Sequence, residues 1–126
     1  MDRILIETGD ILLPAELNDS QTAEALSGIL PITGSANIWG DEIYFSIPLH
    51  FEQERDARME VEVGDLGFWT AGDAFCIFFG RTPVSISDKP MAYSPVNVFG
   101  KITGDATVLR KVNNGDVIIV RKEGSE

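Results

Sequence analysis

Residues 64–80, GDLGFWTAGDAFCIFFG, set two apolar runs on either side of a glycine-containing turn and hold five of the chain's eleven aromatic residues. Aromatic and β-branched side chains suit a pleated, half-buried surface, so the stretch predicts a central hairpin turning at Ala71-Gly72-Asp73. From Ala74 to Phe79 no polar residue interrupts the run. A strand with one wet face would alternate, so this one is expected to be covered on both faces, as in a closed barrel or a two-layer packing.

Outward from that hairpin the chain reads mostly as strands. Arg3 to Glu7 and Ile11 to Leu17 flank Gly9-Asp10 as an opening hairpin. Pro14 lies inside its second arm and cannot donate to a ladder, which places it at an edge, a bulge or a change of partner. The period then changes: Ala23, Leu26 and Leu30 share one helical face, Ser20 is a capping residue type, and Pro31 stops the run. A helix over about Ser20 to Leu30 follows. Ser35 to Trp39 and Glu42 to Ile47 form a second hairpin around Gly40-Asp41. In its second arm Ile43, Phe45 and Ile47 share the core face, and Glu42, Tyr44 and Ser46 share the other, where a groove can be lined.

Met59 to Val63 is a further strand. Residues after Gly80 are expected to be irregular for about fifteen positions, because Pro83, Pro90 and Pro95 discourage pairing. Val96 to Thr103 is a strand, Val108, Leu109 and Val112 mark a short second helix, and Val117 to Val120 closes the sheet ahead of a polar tail at Glu123 to Glu126. The sum is one domain over residues 1–126, mainly β, with about eight strands curled into a barrel and two short helices. Closure into a barrel removes the exposed edges that a sheet of this size would otherwise carry.

Composition narrows the function. A formal charge of −10 and a pI near 4.4 make a phosphate backbone a poor partner, so nucleic acid is not expected. The excess acid lies in residues 1–100, since residues 101–126 carry five Lys/Arg against four Asp/Glu. The start lacks a basic segment followed by a long apolar one, and no apolar run approaches the roughly 20 residues of a membrane span. The expectation is a soluble, cytoplasmic protein without a membrane partner. Cys76, the single cysteine, has no intrachain disulfide partner and reads as a small core residue. His50 with Glu42, Glu52 and Glu54 matches no metal-ligand spacing, so neither metal nor cofactor is expected. The Gly-Asp pairs that start at residues 64, 72 and 104 are turn chemistry rather than a phosphate loop.

The order of elements and several strings resemble the cyclophilin fold, and more closely the small archaeal and bacterial cyclophilin-like proteins, whose role is not established. The strings are Trp39 to Ser46, Gly64 to Trp69, Gly72 to Gly80, and Val98-Phe99-Gly100-Lys101-Ile102, which is close to the Val-Phe-Gly-Lys-Val of true cyclophilins. Asn18 to Leu30 is similar to the first cyclophilin helix. The resemblance implies a cyclophilin-like barrel over nearly the whole chain. It does not carry over the catalytic set. Cyclophilins place an arginine between Phe-His and Ile-Ile-Pro, and ungapped placement puts Phe45 there. Their Gln-Phe-Phe falls near Ala74, Phe75 and Cys76, a histidine at Val96 and a tryptophan at Met91.

Prolyl isomerisation crosses a barrier of roughly 18 to 20 kcal/mol, and a cyclophilin lowers it with a cationic donor near the prolyl nitrogen. Arg81, at the base of the segment after the central hairpin, is the best-placed substitute donor. The groove residues expected from the resemblance and the strand faces are Trp39, Tyr44, Ser46, Trp69, Phe75 and Arg81. The leading expectation is a module that binds a peptide or small apolar ligand with little or no isomerase activity. The alternative is a peptidyl-prolyl isomerase with a rearranged site.

Overall fold

In the computed structural model, which describes residues 2–124, ten strands and two short helices are set along the chain. In order they are β1 (Arg3–Thr8), β2 (Ile11–Leu17), α1 (Gln21–Ser27), β3 (Ile32–Ser35), β4 (Asn37–Ile38), β5 (Glu42–Ser46) and β6 (Arg58–Glu60). There follow β7 (Asp65–Trp69), β8 (Ala74–Phe78), β9 (Met91–Ile102), a 3₁₀-helix at Ala106–Lys111, and β10 (Val117–Lys122). All pairings are antiparallel, in the order β3-β10-β1-β2-β9-β7-β8-β5-β4, with β6 added to β9.

The two ends of that path, β3 and β4, are separated in sequence by Ala36 alone. The sheet therefore curls back on itself and is closed by the chain rather than by a further ladder. Ala36 is fixed at this seam from both sides. Its N–H donates to the Asp116 carbonyl and its carbonyl accepts from Gly115 N–H, each at 2.8 Å. This splits the Ser35 to Trp39 strand read from the sequence into two arms with different partners: β3 joins β10 and β4 joins β5.

The strands number ten rather than about eight, one of them added by that split; the other difference is the greater length of β9. The latter starts at Met91, although Pro90 and Pro95 argue for a loop there. Proline is tolerated because β9 changes partner at this point. It pairs with β6 at Met91 and Val96 across a register shift, and with β7 from Asn97 onward. Pro14 follows the same logic. It sits opposite Leu5, one residue outside the Ala15–Leu17 span that pairs with β9. The first helix is shorter than the periodicity implies: Ser20 caps it by accepting from Ala23 N–H, and it ends at Gly28, beyond which Ile29 N–H reaches back only to Leu26. The last two residues of the expected polar tail lie outside the described residues.

Strand alternation divides the apolar side chains into two cores. Ile43, Phe45, Leu66, Phe68, Phe75, Ile77 and Phe99 point into the barrel with Ile4, Ile6, Ile118 and Val120. Phe45 stacks on Phe75 at 5.0 Å between ring centroids, and Phe75 meets Phe99 edge-on at 5.1 Å. On the outer face of β8, Ala74, Cys76 and Phe78 form a smaller cluster with Val61, Ala92 and Val96. The uninterrupted Ala74–Phe79 run is thus explained: Val61, just after β6, and the first half of β9 cover the face that the barrel interior does not.

Helix α1 is tied to the barrel by buried polar groups. The Asn97 amide donates to Thr22 Oγ1 at 3.0 Å and to the Glu52 carbonyl at 2.9 Å, and its oxygen accepts from Glu54 N–H at 2.8 Å. Glu54 accepts from both the N–H and the hydroxyl of Thr22. Replacing Asn97 with Ala leaves several of these groups unpaired in a dry site, and is expected to lower stability by about 2 to 4 kcal/mol in denaturant titration. Phe45→Ala is expected to cost about 3 to 5 kcal/mol as a core cavity.

Candidate functional site

The outer cluster does not cover its whole face. Where it stops, between the β4–β5 hairpin, the outer face of β8 and the start of β9, a cavity of about 190 Å³ opens to the surface. Its position follows from the Trp39-Gly40-Asp41-Glu42 turn. Trp39 and Glu42 exchange both backbone hydrogen bonds, at 2.9 and 3.1 Å, and Gly40 holds φ +60°. A side chain at Gly40 would meet Pro83 Cδ at 2.9 Å and the Arg81 carbonyl at 3.0 Å, so only glycine lets the turn lie against residues 81–83. Asp41 completes the clamp, donating its N–H to the Arg81 carbonyl and accepting from Phe79 N–H. Its carboxylate lies 3.4 Å from Arg110 Nε, at the end of the 3₁₀-helix.

Held in this way, Trp39 and Glu42 stand at one side of the cavity. Tyr44 and Trp69 contribute further wall, and Ala92 and Val96 supply an apolar lining. Tyr93, 69 % exposed, stands between the two tryptophans and meets both edge-on, at 6.1 Å from Trp39 and 6.3 Å from Trp69. Trp69 is fixed in turn by its indole N–H, which donates to Ser94 Oγ. Aromatic side chains with satisfied polar tips make rigid walls at small entropic cost.

The polar groups of the cavity are few. Glu42 is only 5 % exposed, and its Oε1 has no hydrogen-bond partner. A buried carboxyl without a cation is expensive to ionise, and burial pushes the Glu42 pKa up from 4.5 to about 7, partly offset by the neighbouring Cys76 thiol. Burial and the Glu42 charge push the Cys76 thiol well up as well, so it is an unreactive neutral group. Among the described residues lining the cavity none is basic, and no three His, Cys, Asp or Glu side chains among them gather to hold a metal ion.

Of the six groove residues named from the sequence, Trp39, Tyr44 and Trp69 meet at this cavity. Phe75 does not. The β5–β8 register sets it opposite Phe45 on the inner face, and Cys76, opposite Tyr44, takes the outward position. Ser46 is exposed at the far end of β5, opposite Ala74. Arg81 is exposed too, and its guanidinium lies 3.4 Å from the Ser85 carbonyl rather than at the cavity. Phe45 cannot stand in for a catalytic arginine at any groove, since it points into the barrel; the outward positions of β5 are Glu42, Tyr44 and Ser46. His50, exposed, pairs with Asp73 at 3.0 Å, away from the aromatic walls. The sequence reading missed Tyr93 and Cys76 as lining residues and set Glu42 on the right face without its burial. Alternation against Tyr44 across the β5–β8 pair is the signal that identifies Cys76.

With this geometry in hand, comparison with known proteins is informative. A cyclophilin-like family profile matches residues 2–121, and the chain belongs to that cyclophilin-like family. The solution structure of the hypothetical protein AF2241 from Archaeoglobus fulgidus is similar to it, with a TM-score of 0.80 and 36 % sequence identity over 96 % of this chain and 94 % of that one. No curated protein matches the chain. No helix among the described residues is long and apolar enough to cross a membrane.

The Glu42 carboxyl has a measurable consequence for folding. Its folded-state pKa lies above the unfolded one, so the folded chain holds a proton that the unfolded chain has released. Its contribution is fully favourable below about pH 4.5 and is lost as pH rises through about 7. Glu42→Gln should therefore stabilise the protein at pH 8 relative to pH 4.5 by up to roughly 3 kcal/mol more than the parent chain, read from denaturation midpoints at both values. The same pH dependence in both proteins would assign the proton to another group.

Proposed function

We propose that this protein is a ligand-binding module on a cyclophilin-like frame, with little or no prolyl isomerase activity. The observation that carries the reading is the surface cavity between Trp39, Tyr44, Trp69 and Tyr93, which combines rigid aromatic walls with a single buried acid. Such a site has the make-up of a small-molecule or peptide side-chain pocket: mostly apolar, with few aimed polar groups. Catalysis of prolyl rotation needs the reverse polarity, a cationic donor where nitrogen gains electron density. Glu42 offers an acid there, and Arg81 is directed elsewhere.

Two measurements test this. Isomerisation of a proline-containing test peptide should be accelerated about 10² to 10³-fold less than by a true cyclophilin, the usual effect of losing one such donor. Efficiency equal to a true cyclophilin overturns the reading, and its loss in Arg81→Ala identifies the donor. Incubation of the purified protein with cell extract, followed by mass spectrometry of what stays bound, should yield a small molecule or peptide. Its affinity should fall by about 1 to 2 kcal/mol in Tyr44→Ala, with little change in stability for a half-buried ring.

A further inference from the structure

The binding reading leaves the chemistry of the ligand open, and the unpaired oxygen at the cavity wall narrows it. Glu42 Oε1 is an acceptor with no donor, on a side chain 95 % buried because only 5 % is exposed. Such a group is costly to leave unsatisfied. The Cys76 thiol, a weak donor, relieves the carboxyl only in part, and Trp69 N–H is already committed to Ser94. The walls point the same way. Aromatic faces carry negative electrostatic character, and a cation seated among several of them is held by each. The chain as a whole, at −10, attracts cations towards its surface.

We propose, building on the binding reading above, that the cavity takes a protonated primary amine on a short aliphatic stem, its ammonium paired with the Glu42 carboxylate and its methylenes packed among Trp39, Tyr44, Trp69 and Tyr93. Size agrees. A cavity of about 150 Å³ accommodates benzene, so the 190 Å³ here holds about six to eight heavy atoms, enough for an n-butylammonium group or the end of a lysine side chain. A divalent metal is a poor fit, since one carboxylate cannot supply its several oxygen ligands. A guanidinium is a weaker fit than an ammonium, because its planar fork favours two free carboxylate oxygens whereas a compact ammonium needs one. A quaternary ammonium satisfies the rings but has no N–H to give the Glu42 carboxylate.

The ammonium also couples binding to protonation. Glu42 must ionise to form the ion pair, and below neutral pH it holds its own proton. The other titratable groups facing it are Cys76 from β8, Tyr93 from β9 and Tyr44 from its own strand. None of them is basic. Affinity for the ammonium therefore rises with pH through the Glu42 transition.

The test uses the intact protein, n-butylammonium chloride and its neutral analogue n-butanol, with the fluorescence of Trp39 and Trp69, the chain's two tryptophans, as readout. The expected result is saturable quenching by butylammonium at concentrations about tenfold lower than for butanol, with affinity increasing from about pH 5.5 to about pH 8. Glu42→Gln, checked for folding by circular dichroism, should lose about tenfold for butylammonium, keep its affinity for butanol, and show no pH dependence. Tyr93→Ala removes an exposed wall without opening the core and should weaken butylammonium several-fold. A lysine-containing blocked tripeptide run in parallel separates the sources: tighter binding than butylammonium assigns the amine to a peptide side chain, weaker binding to a free small molecule. Equal affinity for butanol and butylammonium, or unchanged ammonium binding in Glu42→Gln, overturns the amine proposal while leaving a binding pocket. Absence of quenching by either probe, together with no ligand recovered from extract, overturns both.

Discussion

The pairing of β5 with β8 is the constraint on which the rest of the molecule depends. Its register sets Phe45 against Phe75 and Ile43 against Ile77 inside the barrel, and Tyr44 against Cys76 and Glu42 against Phe78 outside. Because side chains alternate at every residue, a slip of β5 by one position exchanges its faces, sending the Glu42 carboxylate into the main core and Ile43 and Phe45 out of it. The barrel interior and the cavity are thus two faces of one ladder. β7 continues the division, with Leu66 and Phe68 inward and Trp69 outward. Gly67 has no side chain at a point where one would meet Val96 at 2.8 Å, which lets β9 close over the outer cluster.

Much of this was legible from residues alone. Gly9-Asp10, Gly40-Asp41 and Ala71-Gly72-Asp73 marked three hairpins by turn chemistry, and Asp73 does take a positive φ of 49°. The alternation in Glu42 to Ile47 fixed the inner face of β5. What could not be read was which face Phe75 occupies. A strand that is apolar on both sides carries no alternation, so its facing is known only from its partners: β7, across the hairpin, is buried on both faces too, and β5, which does alternate, is distant in sequence. The first part of β9, ahead of Val96, hid for a different reason: two prolines signalled a loop where the chain was in fact changing pairing partner. Tyr93 was lost with it, along with the third side of the cavity.

The acid in the wall illustrates how local and global demands diverge at a candidate site. Glu42 follows a tight turn and begins a strand, an ordinary place for a polar residue. It becomes a buried and unpaired one only because the first half of β9, which starts 49 residues later, is laid over the outer face. A frame selected for stability alone would favour an apolar or amide side chain there. The rest of the chain is locally consistent, from the Ser20 cap to the Asn97 network, and this inconsistency is what the binding proposal rests on.

The seam at Ala36 bears on how the chain is made. β3 and β4 emerge early during synthesis, yet β3 has no sheet partner other than β10, which also flanks β1. The half of the sheet built from β2, β9, β7, β8, β5 and β4 is contiguous without β10, whereas β3 has nothing to pair with until residues 117–122 clear the ribosome. The nascent protein must therefore carry Ile32 to Ser35 without a sheet partner until β10 has been made, and that late strand enters between two waiting neighbours like a keystone set after the arch.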